Sequence, residues 1–68
     1  MSYEVFQQRV NRLVDRMKGP KPTVNFRHDA ERGKHYANFP DGTTIIGNTV
    51  AKNLMVQWGS GHRAIVKA

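Results

Sequence analysis

The stretch of residues 35–47, HYANFPDGTTIIG, constrains the fold most, because it has the pattern of a β-hairpin with a defined turn. In Pro40-Asp41-Gly42, proline presets φ for the first corner, aspartate can bond its own backbone, and glycine supplies the left-handed residue that closes a three-residue loop. Such a loop places Ala37 opposite Ile45. The turn therefore predicts the register of the two strands.

A second hairpin is predicted immediately before the first. Residues 23–28 alternate apolar and polar side chains, and residues 29–34 form a polar loop that contains a glycine. If Asp29 lies opposite Lys34, the two hairpins agree on one apolar face. That face consists of Val24, Phe26, Ala37, Phe39 and Ile45, and the reverse face of Asn25, Arg27, Tyr36, Asn38, Thr44 and Ile46.

The N-terminal segment has helical periodicity from residue 3 to about residue 18. Six apolar side chains fall within one arc about 100° wide, as expected of a helix that lies on a core. They are Tyr3, Phe6, Val10, Leu13, Val14 and Met17. Ser2 can cap this helix, and the connector at residues 19–22, which contains a glycine and two prolines, should end it.

The last third of the chain permits two interpretations. A loop at residues 59–61 would join strands that pair Val56 with Ala64 and Leu54 with Val66, and residues 49–53 would then be a short turn. Alternatively, residues 49–58 form a second helix that Gly59 stops. We favour the strands, because the glycine-bearing loop explains the register as well.

These patterns predict one α+β domain over residues 1–68: a helix at 3–18, a connector at 19–22 and a β-sheet at 23–68. The amphipathic helix would pack on a five-stranded antiparallel β-meander, either a curved sheet or a small SH3-like barrel. The alternative order is α-β-β-β-α-β, with the second helix near residues 49–58. A chain this short buries only about 60% of its unfolded surface, so the core should be small.

The composition favours a polyanionic partner. Eleven Lys and Arg residues against five Asp and Glu give a net charge of +6 on 68 residues. The chain contains no cysteine, which excludes a disulfide framework and thiolate metal sites and fits a cytoplasmic location. No segment has the roughly 18 apolar residues of a membrane span, so we expect no membrane association.

Catalytic chemistry finds little support in the sequence. His28 and His35 could form a cross-strand pair, but no motif spacing indicates a metal site, and we expect neither a metal nor a cofactor. A metal-independent ribonuclease could use the two histidines as acid and base, with Arg27 and Lys34 as the cations. Any basic hairpin with histidines would satisfy that pattern, so we expect no enzyme.

Basic residues around an exposed aromatic side chain are the strongest functional signal. Sheet-based readers of nucleic acid hold phosphates with cations and stack bases on aromatic rings. The predicted nucleic-acid-binding residues are Arg27, Arg32, Lys34, Tyr36, Arg63 and Lys67, and a secondary basic stripe on the helix consists of Arg9, Arg12 and Arg16. We therefore predict a small non-enzymatic module that binds DNA or RNA.

A protein-interaction or inhibitor protein, of the kind that phages and plasmids carry, is the alternative function. It would dock on an acidic surface of a larger partner, and Ile46, Met55 and Ile65 would then matter more than the arginines. The chain is expected to be a monomer or a homodimer that pairs the edges of its fifth strands near Val66.

Overall fold

A computed structural model describes residues 1–66. It contains one helix and five strands: α1 (Tyr3–Asp15), β1 (Asn25–Asp29), β2 (Lys34–Asn38), β3 (Thr44–Asn48), β4 (Leu54–Gln57) and β5 (Arg63–Val66). The strands form one antiparallel sheet in the order β1-β2-β3-β4-β5. The fold is therefore the predicted α+β arrangement of a helix and a five-stranded meander.

The register of the sheet matches the turn-based prediction. Asp29 pairs with Lys34, Ala37 with Ile45, and Val56 with Ala64. In the hairpin turn between β2 and β3, Gly42 has φ of +90° and Asp41 Oδ1 accepts a hydrogen bond from the Thr43 backbone N–H at 2.9 Å. This backbone hydrogen bond lowers the pKa of Asp41 from its ordinary value of 3.8. A hydrogen bond from the Thr43 side chain lowers the pKa further, by a smaller amount.

Helix α1 covers one face of the sheet, called here the inner face. Ser2 caps the helix by accepting a hydrogen bond from the Val5 N–H at 3.2 Å. The fully buried helix residues Phe6 and Val10 meet sheet residues from β2, β3 and β4. The buried apolar core consists of Phe6, Val10, Val14, Ala37, Ile45 and Leu54.

Two of the predicted alternatives are wrong. The sheet is open, because β1 and β5 lie at opposite edges and do not pair, so no SH3-like barrel forms. Residues 49–58 contain no second helix: Leu54–Gln57 is strand β4, hydrogen-bonded to both β3 and β5. Two neighbouring strands satisfy the backbone N–H and C=O groups of this segment. These hydrogen bonds outweigh the helical pattern of its sequence.

The helix also ends earlier than predicted, at Asp15 instead of residue 18. The Met17 N–H bonds to the carbonyl of Val14, three residues back, which tightens the last turn. Lys21 Nζ then donates to the carbonyls of Asp15 and Met17. Met17, expected on the apolar stripe, is 48% exposed.

Candidate nucleic-acid interface

The outer face of the sheet, opposite α1, carries a straight row of cross-strand neighbours. Each strand contributes one side chain, and the register places these five residues side by side: Arg27, Tyr36, Ile46, Met55 and Ile65. Four strand spacings of about 4.8 Å make this outer row about 19 Å long. No other element among residues 1–66 packs on this face, since α1 contacts β2 and β3 from the inner side.

Tyr36 lies on β2, between the edge strand β1 and the central strand β3 of the outer face. Its cross-strand neighbours are Arg27 on one side and Ile46 on the other. The alternation of burial along β2, with His35 and Ala37 buried, turns the Tyr36 ring away from the core and leaves it half-buried. An aromatic ring in this position offers a face on which a base can stack.

Polar side chains border the outer row. One parallel row consists of Asn25, Asn38, Thr44, Gln57 and Arg63. Within it, the Thr44 hydroxyl donates to Asn38 Oδ1 at 3.1 Å. On the other side, Lys34 lies in β2 and pairs with Asp29 of β1. Arg27 and Arg63 therefore lie on the two edge strands, and Lys34 lies on β2, on the opposite side of the outer row from Arg63.

Arg32 lies beside Asp29 at the margin of this surface. Its guanidinium Nε lies 3.9 Å from Asp29 Oδ2, and its backbone N–H donates to Asp29 Oδ1 at 3.3 Å. The Arg32 side chain is 76% exposed, so this ion pair is weak and leaves the guanidinium accessible. Lys67, another predicted site residue, lies outside the described residues.

A hollow of about 440 Å³ adjoins the outer row where β3 and β4 diverge. Ile46, Met55 and Ile65 form its apolar wall, and Lys34, Asn48 and Asn53 contribute polar groups. The hollow gives this end of the face a concave shape. It adds a recess beside the Lys34 cation to the strand surface.

The secondary basic stripe is not part of this face. Arg9 belongs to α1 on the inner side, and its Nη1 donates to the carbonyl of Lys52 at 2.7 Å. That contact fastens the helix to the loop between β3 and β4. Arg12 and Arg16 are exposed, but the sheet separates them from Tyr36 and Arg27.

His28 and His35 differ in exposure. His35 is completely buried on the inner face, whereas His28 is exposed, and their Nδ1 atoms are 3.0 Å apart. Arg27 and Lys34 point to the outer face. The sheet therefore does not bring together the four groups of the ribonuclease hypothesis.

The apolar part of the outer row was absent from the predicted set of nucleic-acid-binding residues. The sequence pattern places Ile46 on the reverse face, but Ile46, Met55 and Ile65 have a predicted functional role only in the protein-interaction alternative. Period-two alternation along the predicted strands already places them on the outer side, so the signal was present. Their continuity with Tyr36 becomes evident only once all four registers are known.

The fold and this face define a small α+β domain with one covered and one open sheet face. The chain matches no protein-family model, no curated protein and no solved structure. Within residues 1–66, no helix is long and apolar enough to cross a membrane, and no group of three or more His, Asp or Glu side chains is placed to hold a metal ion.

Proposed function

We propose that this protein is a non-enzymatic cytoplasmic module that binds single-stranded nucleic acid on the outer face of its sheet. The observation that carries the proposal is the position of Tyr36 on an open sheet face, directly beside Arg27. A base stacked on the tyrosine would bring its phosphates toward the neighbouring cations. The net charge of +6 adds a long-range attraction for a polyanion.

A single strand fits the proposed surface better than a duplex. Bases in a duplex are stacked on one another, so an aromatic ring set in a sheet surface has no access to their faces. The outer row, about 19 Å long, has room for a few unstacked nucleotides. Arg63 and Arg27 on the edge strands and Lys34 beside the hollow would contact the backbone, and Arg32 lies at the margin.

Fluorescence anisotropy with a labelled single-stranded oligonucleotide tests the proposal. We expect binding that weakens steeply with salt, because phosphate contacts release counterions. Tyr36→Leu keeps an apolar side chain but removes the ring, and should weaken binding by about 1–3 kcal/mol. Absence of binding by the wild-type protein at low salt would refute the proposal.

Docking on a protein with an acidic surface is a second candidate, which the aliphatic part of the outer row favours. Ile65 is 62% exposed and continues an apolar surface formed by Met55 and Ile46. Exposed aliphatic side chains next to cations suit a protein interface with an apolar centre and a charged rim. Nucleic acid gains less from such aliphatic contacts.

Two substitutions with opposite expectations separate the candidates. Ile65→Ser removes apolar surface without changing charge, so it should leave oligonucleotide binding unchanged and weaken protein docking. Tyr36→Leu should weaken oligonucleotide binding and leave protein docking unchanged. Partners that the wild-type protein retains from a nuclease-treated lysate, and that Ile65→Ser loses, would favour the second candidate.

A further inference from the structure

His28 and His35 form a pair of imidazoles on the inner face that the outer-face proposal does not use. They are cross-strand neighbours in β1 and β2, and their Nδ1 atoms lie 3.0 Å apart. The rings stack at a centroid distance of 5.0 Å. The pair lies under the start of α1, where Tyr3 stacks on His28 at 4.8 Å and Phe6 lies 5.4 Å from His35.

The hydrogen-bond partners of His35 determine its tautomer. Its Nε2 lies 3.0 Å from the carbonyl oxygen of Met1, and a carbonyl can only accept. The proton of the neutral His35 ring is therefore on Nε2, and Nδ1 carries a lone pair directed at His28. A histidine that ligates a metal ion characteristically has this arrangement, with one nitrogen free and the other N–H held by a carbonyl.

We propose that His28 and His35 bind a divalent late transition-metal ion, such as Zn²⁺ or Ni²⁺, through their Nδ1 atoms. Two nitrogen ligands, each about 2.0–2.1 Å from a tetrahedral zinc ion, lie about 3.3 Å apart. The observed separation of 3.0 Å is therefore shorter by about 0.3 Å than the chelating separation. As the ion binds, the Nδ1 proton of His28 is lost to solvent and Nε2 of this exposed residue takes one up, so the His28 ring stays neutral and both Nδ1 lone pairs can ligate the ion.

The two histidine ligands differ in burial, and so in the role that each would have. His35 is 0% exposed and is held by Met1, Tyr3 and Phe6, so its ring has a fixed orientation. His28 is exposed, which gives the ion a route from solvent and allows the small opening of the pair. No third protein ligand lies beside the pair among residues 1–66, so water would complete the coordination and the ion would be exchangeable.

The chemistry of the pair selects the class of ion. Imidazole nitrogens suit zinc and nickel, whereas Mg²⁺ and Ca²⁺ prefer oxygen ligands. The bound ion would connect β1 to β2 and, through His35, to the N-terminal residue. It would therefore stabilise the folded state by mass action. This proposal replaces the sequence-based expectation that the histidines hold no metal.

Thermal unfolding with increasing ZnCl₂ or NiCl₂ tests the site, with MgCl₂ as the control salt. We expect the Tm of the wild-type protein to rise with Zn²⁺ or Ni²⁺ and to be unaffected by Mg²⁺. His28→Gln should abolish the rise, while its amide can still donate to His35 Nδ1 and maintain the fold. His62→Ala, which removes an exposed histidine of the β4–β5 turn, should respond like wild type.

Histidine ring signals in NMR spectra provide a second readout that needs no variant. We expect Zn²⁺ to shift the ring protons of His28 and His35 and to leave those of His62 unchanged. A Tm rise of equal size in His28→Gln, a shift confined to His62, or no response to either ion would overturn the proposal. Because no oligonucleotide is present, the result does not depend on the function of the outer face.

Discussion

The ring of Phe6 lies against the bare backbone of Gly47. Phe6 is fully buried in α1, and Gly47 lies in β3 on the inner face, opposite His35. A Cβ atom at Gly47 would lie 2.6 Å from Phe6 Cδ1 and 3.0 Å from Cε1. Glycine at this position therefore sets how closely the helix approaches the sheet.

Gly47→Ala should destabilise the protein. Replacing glycine inside a strand normally gains about 0.5–1 kcal/mol through chain entropy. Here the added methyl group overpacks the core, which typically costs about 1–3 kcal/mol, so the clash outweighs the gain. Urea unfolding of the two proteins measures the difference.

The double variant Phe6→Leu/Gly47→Ala provides the control. The smaller leucine should relieve part of the clash, so that the double variant loses less stability than the sum of the two single variants, by about 0.5–3 kcal/mol. Strict additivity would contradict the proposed contact.

Local pattern was sufficient to predict the pairing of the first three strands. Turn chemistry at Pro40-Asp41-Gly42 and alternation in the flanking strands determine the pairing of Ala37 with Ile45. The same alternation places Tyr36 and Arg27 together on the reverse face. Each of these relationships joins residues that are close in sequence, so short-range rules can specify them.

The features that sequence reasoning missed depend on how the helix docks. The burial of His35 requires Phe6 and Tyr3 above it, and the close approach at Gly47 requires Phe6 at that point. Arg9 is held by the carbonyl of Lys52, 43 residues away. Hydrophobic periodicity shows that α1 has a buried face, but it does not show which strand residue each helix residue meets.

The hairpin turn should contribute a pH-dependent part of the stability through Asp41. Hydrogen bonds from Thr43 lower the pKa of this carboxyl in the folded state. A lowered folded-state pKa means that the contribution is complete above the unfolded-state pKa and is lost as the pH falls through the folded-state value. Stability should therefore decrease in acid partly because Asp41 becomes protonated.

Asp41→Asn is the matched variant for this effect, since its Oδ1 can still accept from the Thr43 N–H. We expect it to remain folded at neutral pH and to lose less stability than wild type between neutral and acidic pH. Urea unfolding at a series of pH values gives the comparison. Equal acid sensitivity in both proteins would argue against the role of Asp41.

The N-cap of α1 should be a local determinant of stability. Ser2 Oγ accepts a hydrogen bond from the Val5 N–H, which the helix itself cannot satisfy. Ser2→Ala should lower the free energy of unfolding by about 0.5–2 kcal/mol, whereas Ser2→Asp should preserve the cap. Ser60→Ala, at the exposed β4–β5 turn, serves as the surface control, and an equal loss there would contradict the assignment.

Arg27 and Arg12 provide a matched test of which face binds nucleic acid. Both are exposed arginines, but Arg27 lies beside Tyr36 on the outer face and Arg12 lies on α1 across the sheet. Replacing either with glutamine removes the same charge, so a purely long-range attraction would respond equally to both.

A phosphate contact by Arg27 instead predicts a difference in the salt dependence. For Arg27→Gln, the slope of log K against log salt concentration should decrease in magnitude by about 0.7, the value expected for one lost contact with a single strand. Arg12→Gln should retain the wild-type slope in the same anisotropy titrations. If only Arg12→Gln changed the slope, the nucleic-acid interface would lie on the helix and not on the outer face.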